Sequence, residues 1–254
     1  MTQDLQVENK QGVLIITINR PQAKNALTQD VAYAVAAAID ELEKDNELRV
    51  GIITGAGNSF CSGMDLKGFL KGERPSVPGR GFAGVTEAPP NKPLIAAVEG
   101  YALAGGFELA LACDLIVAAE NAQFGLPEVK RGLVATAGGL LRLPKRLPYH
   151  IAMQHILTGD LLSAAKAYQH GLVNYLVPPG HALEEALKVA QQIMQNGPLA
   201  LAASKRIVTE SVDWSQDEMF AKQRVIAAPV FESQDAREGA TAFAEKRPPV
   251  WSGA

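Results

Sequence analysis

Residues Gly100 to Glu108, Gly-Tyr-Ala-Leu-Ala-Gly-Gly-Phe-Glu, set two adjacent glycines between an apolar run and an apolar segment that carries one carboxylate. Glycine lets the backbone approach a ligand closely, with its N–H groups turned outward. A helix beginning at Gly105 would aim its unpaired N–H groups and its positive dipole end at the same spot. Such a site can stabilise a negative oxygen while Glu108 moves a proton beside it. Tight packing uses the same glycine pair, so this segment alone does not decide. A second carboxylate, Glu128, follows Pro127 in Phe-Gly-Leu-Pro-Glu, before Arg131-Gly132. Either glutamate, if buried, would have a raised pKa and could give or take a proton near pH 7. An exposed charge or a helix-cap carboxylate is the alternative for both.

Two further turns carry polar and small residues. In Asn19-Arg-Pro-Gln-Ala-Lys-Asn-Ala-Leu27, Lys24 can meet a phosphate as a point charge or stay solvated. In Phe60-Cys-Ser-Gly-Met-Asp-Leu66, the small residues admit a ligand and the Met64 N–H can point into a pocket. The preceding Gly55-Ala-Gly57 opens like a dinucleotide fingerprint, but Phe60 stands at its third glycine position, so that reading is rejected. Ser62 lacks the Gly-x-Ser-x-Gly elbow and no histidine has a partner role, which argues against a serine hydrolase. His150, His155, His170 and His181 match no metal-ligand spacing and read as structural or surface residues; no metal is expected.

The elements that must position these turns follow from hydrophobic period. Val13 to Asn19 reads as a buried strand ending at Arg20-Pro21. Thr28 can cap a helix in which Val31, Val35, Ile39 and Leu42 recur at helical spacing, ending near Asp45-Asn46. Val50 to Thr54, Leu94 to Val98 and Leu115 to Ala118 read as further strands. Strands alternating with helical patterns imply crossovers and parallel pairing, hence an α/β fold. The Gly- and Pro-rich stretch from Gly68 to Pro93 is long for a loop, and is either a functional lid or a mobile segment. From Pro148 onward helices take over: His181 to Gln195, one opened by Pro198, Asp213 to Ile226, and Ser233 to Lys246.

The chain has 254 residues, 47% hydrophobic and 20% charged, which suits one large domain or one with a small appendage. A net charge of -3 gives no bulk reason to bind nucleic acid or an anionic membrane. No apolar run approaches bilayer length, and the first residues show no secretory pattern. Cys61 and Cys113 read as reduced thiols of a cytoplasmic protein.

Taken together, NRPQAKNAL, FCSGMDL, GYALAGGFELALACD and FGLPEVKRG, in this order and spacing, resemble the crotonase superfamily, the enoyl-CoA hydratase/isomerase group. The resemblance runs from about Val13 to Trp251. It implies a spiral of ββα units over residues 1–195 and a helical trimerisation region over 196–254, assembled as a homotrimer or a dimer of trimers. It implies that the N–H groups of Met64 and Gly105 form an oxyanion hole for the thioester carbonyl of an acyl-CoA. Glu108 would deprotonate a water attacking C3 of a 2-enoyl-CoA, and Glu128 would protonate C2, with no cofactor beyond the substrate's own CoA. Lys24, Ala26 and the Cys61, Ser62 and Met64 backbone would hold CoA, and Lys246 a CoA phosphate across a subunit boundary. One departure concerns the water: Thr136 stands where many family hydratases have glycine. The run Gly-Gly-Leu-Leu-Arg-Leu-Pro and the C-terminal segment look like the branch containing crotonobetainyl-CoA hydratases. The other readings are an enoyl-CoA isomerase and a non-catalytic acyl-CoA-binding protein. Phe69, Phe82 and Phe107 are expected to wall the acyl pocket.

Overall fold

The computed structural model describes residues 3–254. The chain opens with a hairpin of β1 (Leu5–Lys10) and β2 (Val13–Ile18), turned by Gln11 and Gly12, both at positive φ. Next come α1 (Gln29–Lys44), β3 (Val50–Gly55), α2 (Leu66–Leu70) and a small hairpin of β4 (Ser76–Val77) and β5 (Gly81–Phe82). Then follow β6 (Leu94–Val98), β7 (Tyr101–Leu103), α3 (Gly105–Ala112), β8 (Leu115–Ala119) and β9 (Gln123–Gly125). After these stand α4 (Gly139–Arg146), α5 (Tyr149–Thr158), β10 (Leu162–Ser163), α6 (Ala164–Gln169), β11 (Tyr175–Val177) and α7 (Ala182–Met194). The remainder is helical: α8 (Pro198–Glu210), α9 (Met219–Glu232) and α10 (Gln234–Glu245).

The main sheet runs β1-β2-β3-β6-β8-β11, parallel except for the β1–β2 hairpin. Strands β2, β3, β6 and β8 are covered on both faces, which is why they read as continuous apolar runs rather than alternating ones. Leu14, Ile16 and Ile18 face one core with α1 and α3, while Val13, Ile15, Val50 and Ile52 face another against Ala182, Ala186 and Val189 of α7. Each such side chain contributes about 1.5–3 kcal/mol when fully buried. Thr28 caps α1 by accepting from the Val31 N–H at 3.4 Å, and Val31, Val35, Ile39 and Leu42 are buried, as their spacing requires. A second sheet, β10-β9-β7, lies beyond the first and places Tyr101–Leu103 beside Gln123–Gly125.

Four features differ from the sequence expectation. After Pro148, where only helices were expected, β10 and β11 stand as well, and β11 pairs with β8 in the main sheet; both are too short, at two and three residues, to show in a hydrophobic period. Strand β1 went unread because it is a polar edge strand, with only Leu5 buried. The helix expected over Asp213 to Ile226 begins instead at Met219, because Ser215 starts its own turn: its carbonyl accepts from the Glu218 and Met219 N–H groups at 3.1 and 3.0 Å, and its hydroxyl bonds the Glu218 carboxylate at 2.9 Å. The Gly68–Pro93 stretch is ordered by packing: α2 ends in it, β4 pairs with β5, and Ala83, Val85 and Thr86 are buried.

Candidate active site

The Cys61–Asp65 segment runs alongside β7 and the α3 start. Cys61 bridges Ala102 in parallel fashion, and Leu27 bridges Met64. Leu27 donates to the Gly63 carbonyl at 2.8 Å and accepts from the Asp65 N–H at 2.9 Å. That pattern leaves the Met64 N–H facing away from Leu27, and it has no acceptor among the described residues. Gly63 is at φ +97, and a Cβ there would stand 2.9 Å from the Ala104 Cβ and 3.2 Å from the Gly105 nitrogen. The two main chains therefore pass in contact at this point.

Ala104 enters α3 at φ 51, ψ -129, a region that costs an L residue on the order of 1–3 kcal/mol. It is held there by its N–H on the Gly125 carbonyl (2.8 Å) and by its own carbonyl, which accepts from Phe107 and Glu108 (2.9 and 3.0 Å). The first two N–H groups of α3, on Gly105 and Gly106, are left without acceptors among the described residues, as at any helix start. Both glycines are also packing necessities. A Cβ on Gly106 would lie 2.1 Å from the Cys61 carbonyl oxygen, and one on Gly105 would lie 2.5–2.8 Å from the Phe82 ring.

Every residue of α3 is buried, Glu108 included, at 2% exposure. Its Oε1 accepts from the N–H groups of Ala137 and Gly139, both at 2.8 Å. Burial raises its pKa above the ordinary carboxylate range against the opposing pull of those bonds and of Arg142. Glu128 lies on a 3₁₀ turn, Pro127–Arg131, directly after β9. Its Oε2 is buried without a hydrogen-bond partner. Burial first, and the Glu108 charge in addition, push its pKa up to about 7. Gly139→Ala places a methyl 2.9–3.0 Å from the Glu108 Cγ and Oε1. Because the atoms struck belong to a side chain, the protein is expected to fold. Loss of the aligned carboxylate is expected to cost about 10²-fold in kcat, read by steady-state kinetics beside a melting curve.

Glu108, Glu128, Met64 and Gly105 all line one cleft of about 980 Å³, together with Lys24, Ala26 and Ser62. Phe69, Phe82 and Thr136 line it too. The turn that bears Lys24 is tied down by Asn25, fully buried at φ 55, whose side chain bonds the Arg20 N–H and the Ala56 and Ser59 carbonyls. Arg20 pairs with Asp65 at 2.9 Å and also reaches the Ala26 carbonyl. Although burial works the other way, that arginine and the Lys67 and Gly68 N–H groups hold the Asp65 carboxyl below its ordinary range. Lys24 itself extends over the Tyr101 ring, 5.0 Å from its centroid.

Three expected residues lie elsewhere. Cys61 is fully buried, with its N–H on the Tyr101 carbonyl and its carbonyl accepting from Leu103, so neither main-chain group faces the cleft. Phe107 is a core residue packed on Phe124, with ring centroids 5.3 Å apart, because it leaves α3 on the side away from Glu108. Lys246 ends α10 in the left-handed region and is not part of the cleft of its own chain. Sequence reading missed Arg20, Asn25, Arg74 and Arg131 at the cleft or beneath it. The signal for Asn25 was available, since asparagine is one of the few residues that tolerates positive φ.

The model of the family described as enoyl-CoA hydratase/isomerase matches residues 8–254. A carnitinyl-CoA dehydratase of Salmonella typhi is 45% identical over 262 residues, covering 100% of both chains. The crystal structure of an enoyl-CoA hydratase from Mycobacterium marinum is 62% identical over 99% of both chains, with a TM-score of 0.97. That of a carnitinyl-CoA hydratase from Mycobacterium avium is 44% identical over 100% of both, with a TM-score of 0.80. The α/β crotonase spiral with its helical C-terminal region is therefore the fold of this chain. By both the family match and these relatives, the chain is a member of the enoyl-CoA hydratase/isomerase family.

Proposed function

We propose that this protein is an enoyl-CoA hydratase, a lyase that reversibly adds water across the C2–C3 double bond of a 2-enoyl-CoA. One observation carries the reading: two desolvated carboxyl groups of raised pKa share a cleft with two main-chain N–H groups that have no acceptor among the described residues. The Met64 and Gly105 N–H groups hold the thioester oxygen. Glu108 takes a proton from water as the oxygen bonds to C3; the π electrons move to C2 and the thioester oxygen as an enolate. Glu128, neutral below about pH 7, gives its proton to C2. The thioester is the electron sink, so the step as written draws on no further cofactor. Water enters and 3-hydroxyacyl-CoA leaves, with the proton passed from one carboxylate pair member to the other.

Lys24, Ala26 and Ser62 on the cleft wall are proposed to hold CoA, and Lys246 to serve a neighbouring subunit's CoA. The helices after residue 195 expose Phe220, Phe231 and Phe243 at 61–87%. Such apolar area on one chain fits burial in a homotrimer or dimer of trimers. Cys61 and Cys113 are buried and unpaired, with burial pushing both thiols up to about 12, which fits a reducing cytoplasm. No helix among the described residues is long and apolar enough to cross a membrane.

The full-length likeness to carnitinyl-CoA dehydratases favours a second reading on the same chemistry, with crotonobetainyl-CoA as the substrate. The deciding experiment is a panel of 2-enoyl-CoA thioesters, from crotonyl to long-chain and crotonobetainyl, followed by loss of absorbance of the conjugated bond. Hydration of at least one is expected, and the ratio of kcat/KM values ranks the two readings. Double-bond migration without hydration would reassign the chain as an isomerase.

A further inference from the structure

Arg142 lies on the first turn and a half of α4, and its side chain folds back over the start of its own helix. The guanidinium sits where a side chain on residue 138 would be: a Cβ on Gly138, at φ +97, would stand 2.0 Å from Nη1. Nη2 donates to the Thr86 carbonyl at 2.6 Å, and Nη1 approaches the Ala137 carbonyl at 3.4 Å. Thr86 belongs to the buried part of the stretch between β5 and β6, 56 residues away in sequence. Ala137 is the residue whose N–H, with that of Gly139, holds Glu108. One guanidinium thus spans two segments that share no hydrogen-bonded sheet or helix, and one of them is the turn that aims the glutamate.

From this bridge we infer that Arg142 is a positioning residue: it fixes the 137–139 turn against Thr86 and thereby sets the direction and the charge state of the Glu108 carboxylate. The inference rests on Glu108 acting in the proposed hydration. Arg142 does not touch the substrate cleft; it works through the turn. Its geometry suits the task, since a planar guanidinium holds its N–H donors at a fixed spacing and direction, whereas an ammonium is a point charge on a flexible stem. The charged groups around Glu108 are Arg142 from α4 and Glu128 from the 3₁₀ turn, with Arg146 acting on Arg142. Arg142 is itself partly desolvated, which strengthens its effect on the nearby carboxylate. A cation beside a carboxylate favours the ionised form, so removing it raises the Glu108 pKa.

Arg142→Gln, Arg142→Lys and Glu108→Gln are compared with the parent enzyme on the best-hydrated enoyl-CoA, by kcat, KM, pH–rate profile and thermal melt. Arg142→Gln is expected to lower kcat by about 10–100-fold with KM within about threefold, as misaiming a catalytic group does. Its acidic limb is expected to move up by about one pH unit. Arg142→Lys is expected to keep the limb near its parent position while kcat still falls, because charge is retained and the fixed fork that spans Thr86 and Ala137 is not. A folded Arg142→Gln with parent kcat and an unmoved limb overturns the inference, whatever its melting temperature. Should Arg142→Gln not fold, Arg142→Lys decides: a fall in kcat supports the bridge and a parent value overturns it. Glu108→Gln separates the two levels. If it is inactive while Arg142→Gln is parent-like, only the Arg142 role fails; if it hydrates normally, the base assignment fails and takes this inference with it.

Discussion

Glu128→Gln is expected to lower kcat for hydration by about 10²–10⁴-fold, the usual worth of a general acid, and to delete the alkaline limb of the pH–rate profile. The number of protons on the carboxyl pair sets the profile. Hydration starts with Glu108 ionised and Glu128 neutral, and dehydration starts with the reverse. Both states hold one proton between two groups, so the singly protonated pair is the active species in each direction. Adding water to an alkene consumes no net proton, so kcat/KM forward and backward must share one bell-shaped profile. Glu128 is pushed up to about 7 by burial and by the Glu108 charge, so activity should fall as pH rises through that value. Glu108 is also raised, chiefly by burial, so the acidic limb should lie above the ordinary carboxylate range. The two limbs belong to the pair as a unit. Steady-state kcat/KM across a series of buffers checks this, and a profile flat through pH 7, or an alkaline limb that survives Glu128→Gln, would sink the paired scheme.

The same substitution carries a stability signature of opposite sign. A carboxyl group whose folded pKa lies above its unfolded value favours the folded state fully below the unfolded pKa. That contribution is lost as pH rises from about 4.5 toward about 7. At pH 8 the parent therefore holds a desolvated carboxylate at a cost on the order of 1–3 kcal/mol, discounted for its partial exposure. Glu128→Gln removes that cost and should melt higher than the parent at pH 8 but not at pH 4. An enzyme that loses activity and gains stability from one substitution is what a strained, pre-set active site predicts.

How much of this was legible before folding depended on where each interaction sits along the chain. Gly105, Gly106 and Glu108 are neighbours, and a paired glycine at a helix start states its backbone requirement locally. The strands around Val13, Val50, Leu94 and Leu115 were legible because burial on both faces leaves unbroken apolar runs. Phe107 was misread for a simple reason: one step along a helix turns a side chain by about 100°, so a residue adjacent to Glu108 points elsewhere. Cys61 was misread because its main chain is consumed by β7, a three-residue strand too short to show in any periodicity. Arg142 stood in the Gly-Gly-Leu-Leu-Arg-Leu-Pro run, but its role was illegible, since its partners are main-chain carbonyls of residues 86 and 137, and a carbonyl has no letter in a sequence. The cleft was thus readable as a set of letters, while its wiring through the backbone was not.

That wiring makes the main-chain donors the sharpest test of the proposed chemistry, because no side-chain exchange deletes an N–H without moving the chain. Replacing Met64 by the α-hydroxy acid of methionine exchanges its N–H for an ester oxygen and keeps the side chain. Its N–H has no acceptor among the described residues, so the exchange removes none of their hydrogen bonds. If that group stabilises an enolate, kcat should fall by about 10²–10³-fold, the cost of one oxyanion donor at about 2.7–4 kcal/mol. KM should stay nearly constant, because the bond strengthens only as negative charge builds on the oxygen. The matched exchange at Leu27 supplies the contrast: its N–H is committed to the Gly63 carbonyl at 2.8 Å, so the loss there should appear in the melting temperature. A Met64 ester with parent kcat would remove the oxyanion role from this position and leave Gly105 as the sole donor. The helix start at Gly105 would then have to do alone, with its dipole and one N–H, what two converging amides share in the present scheme.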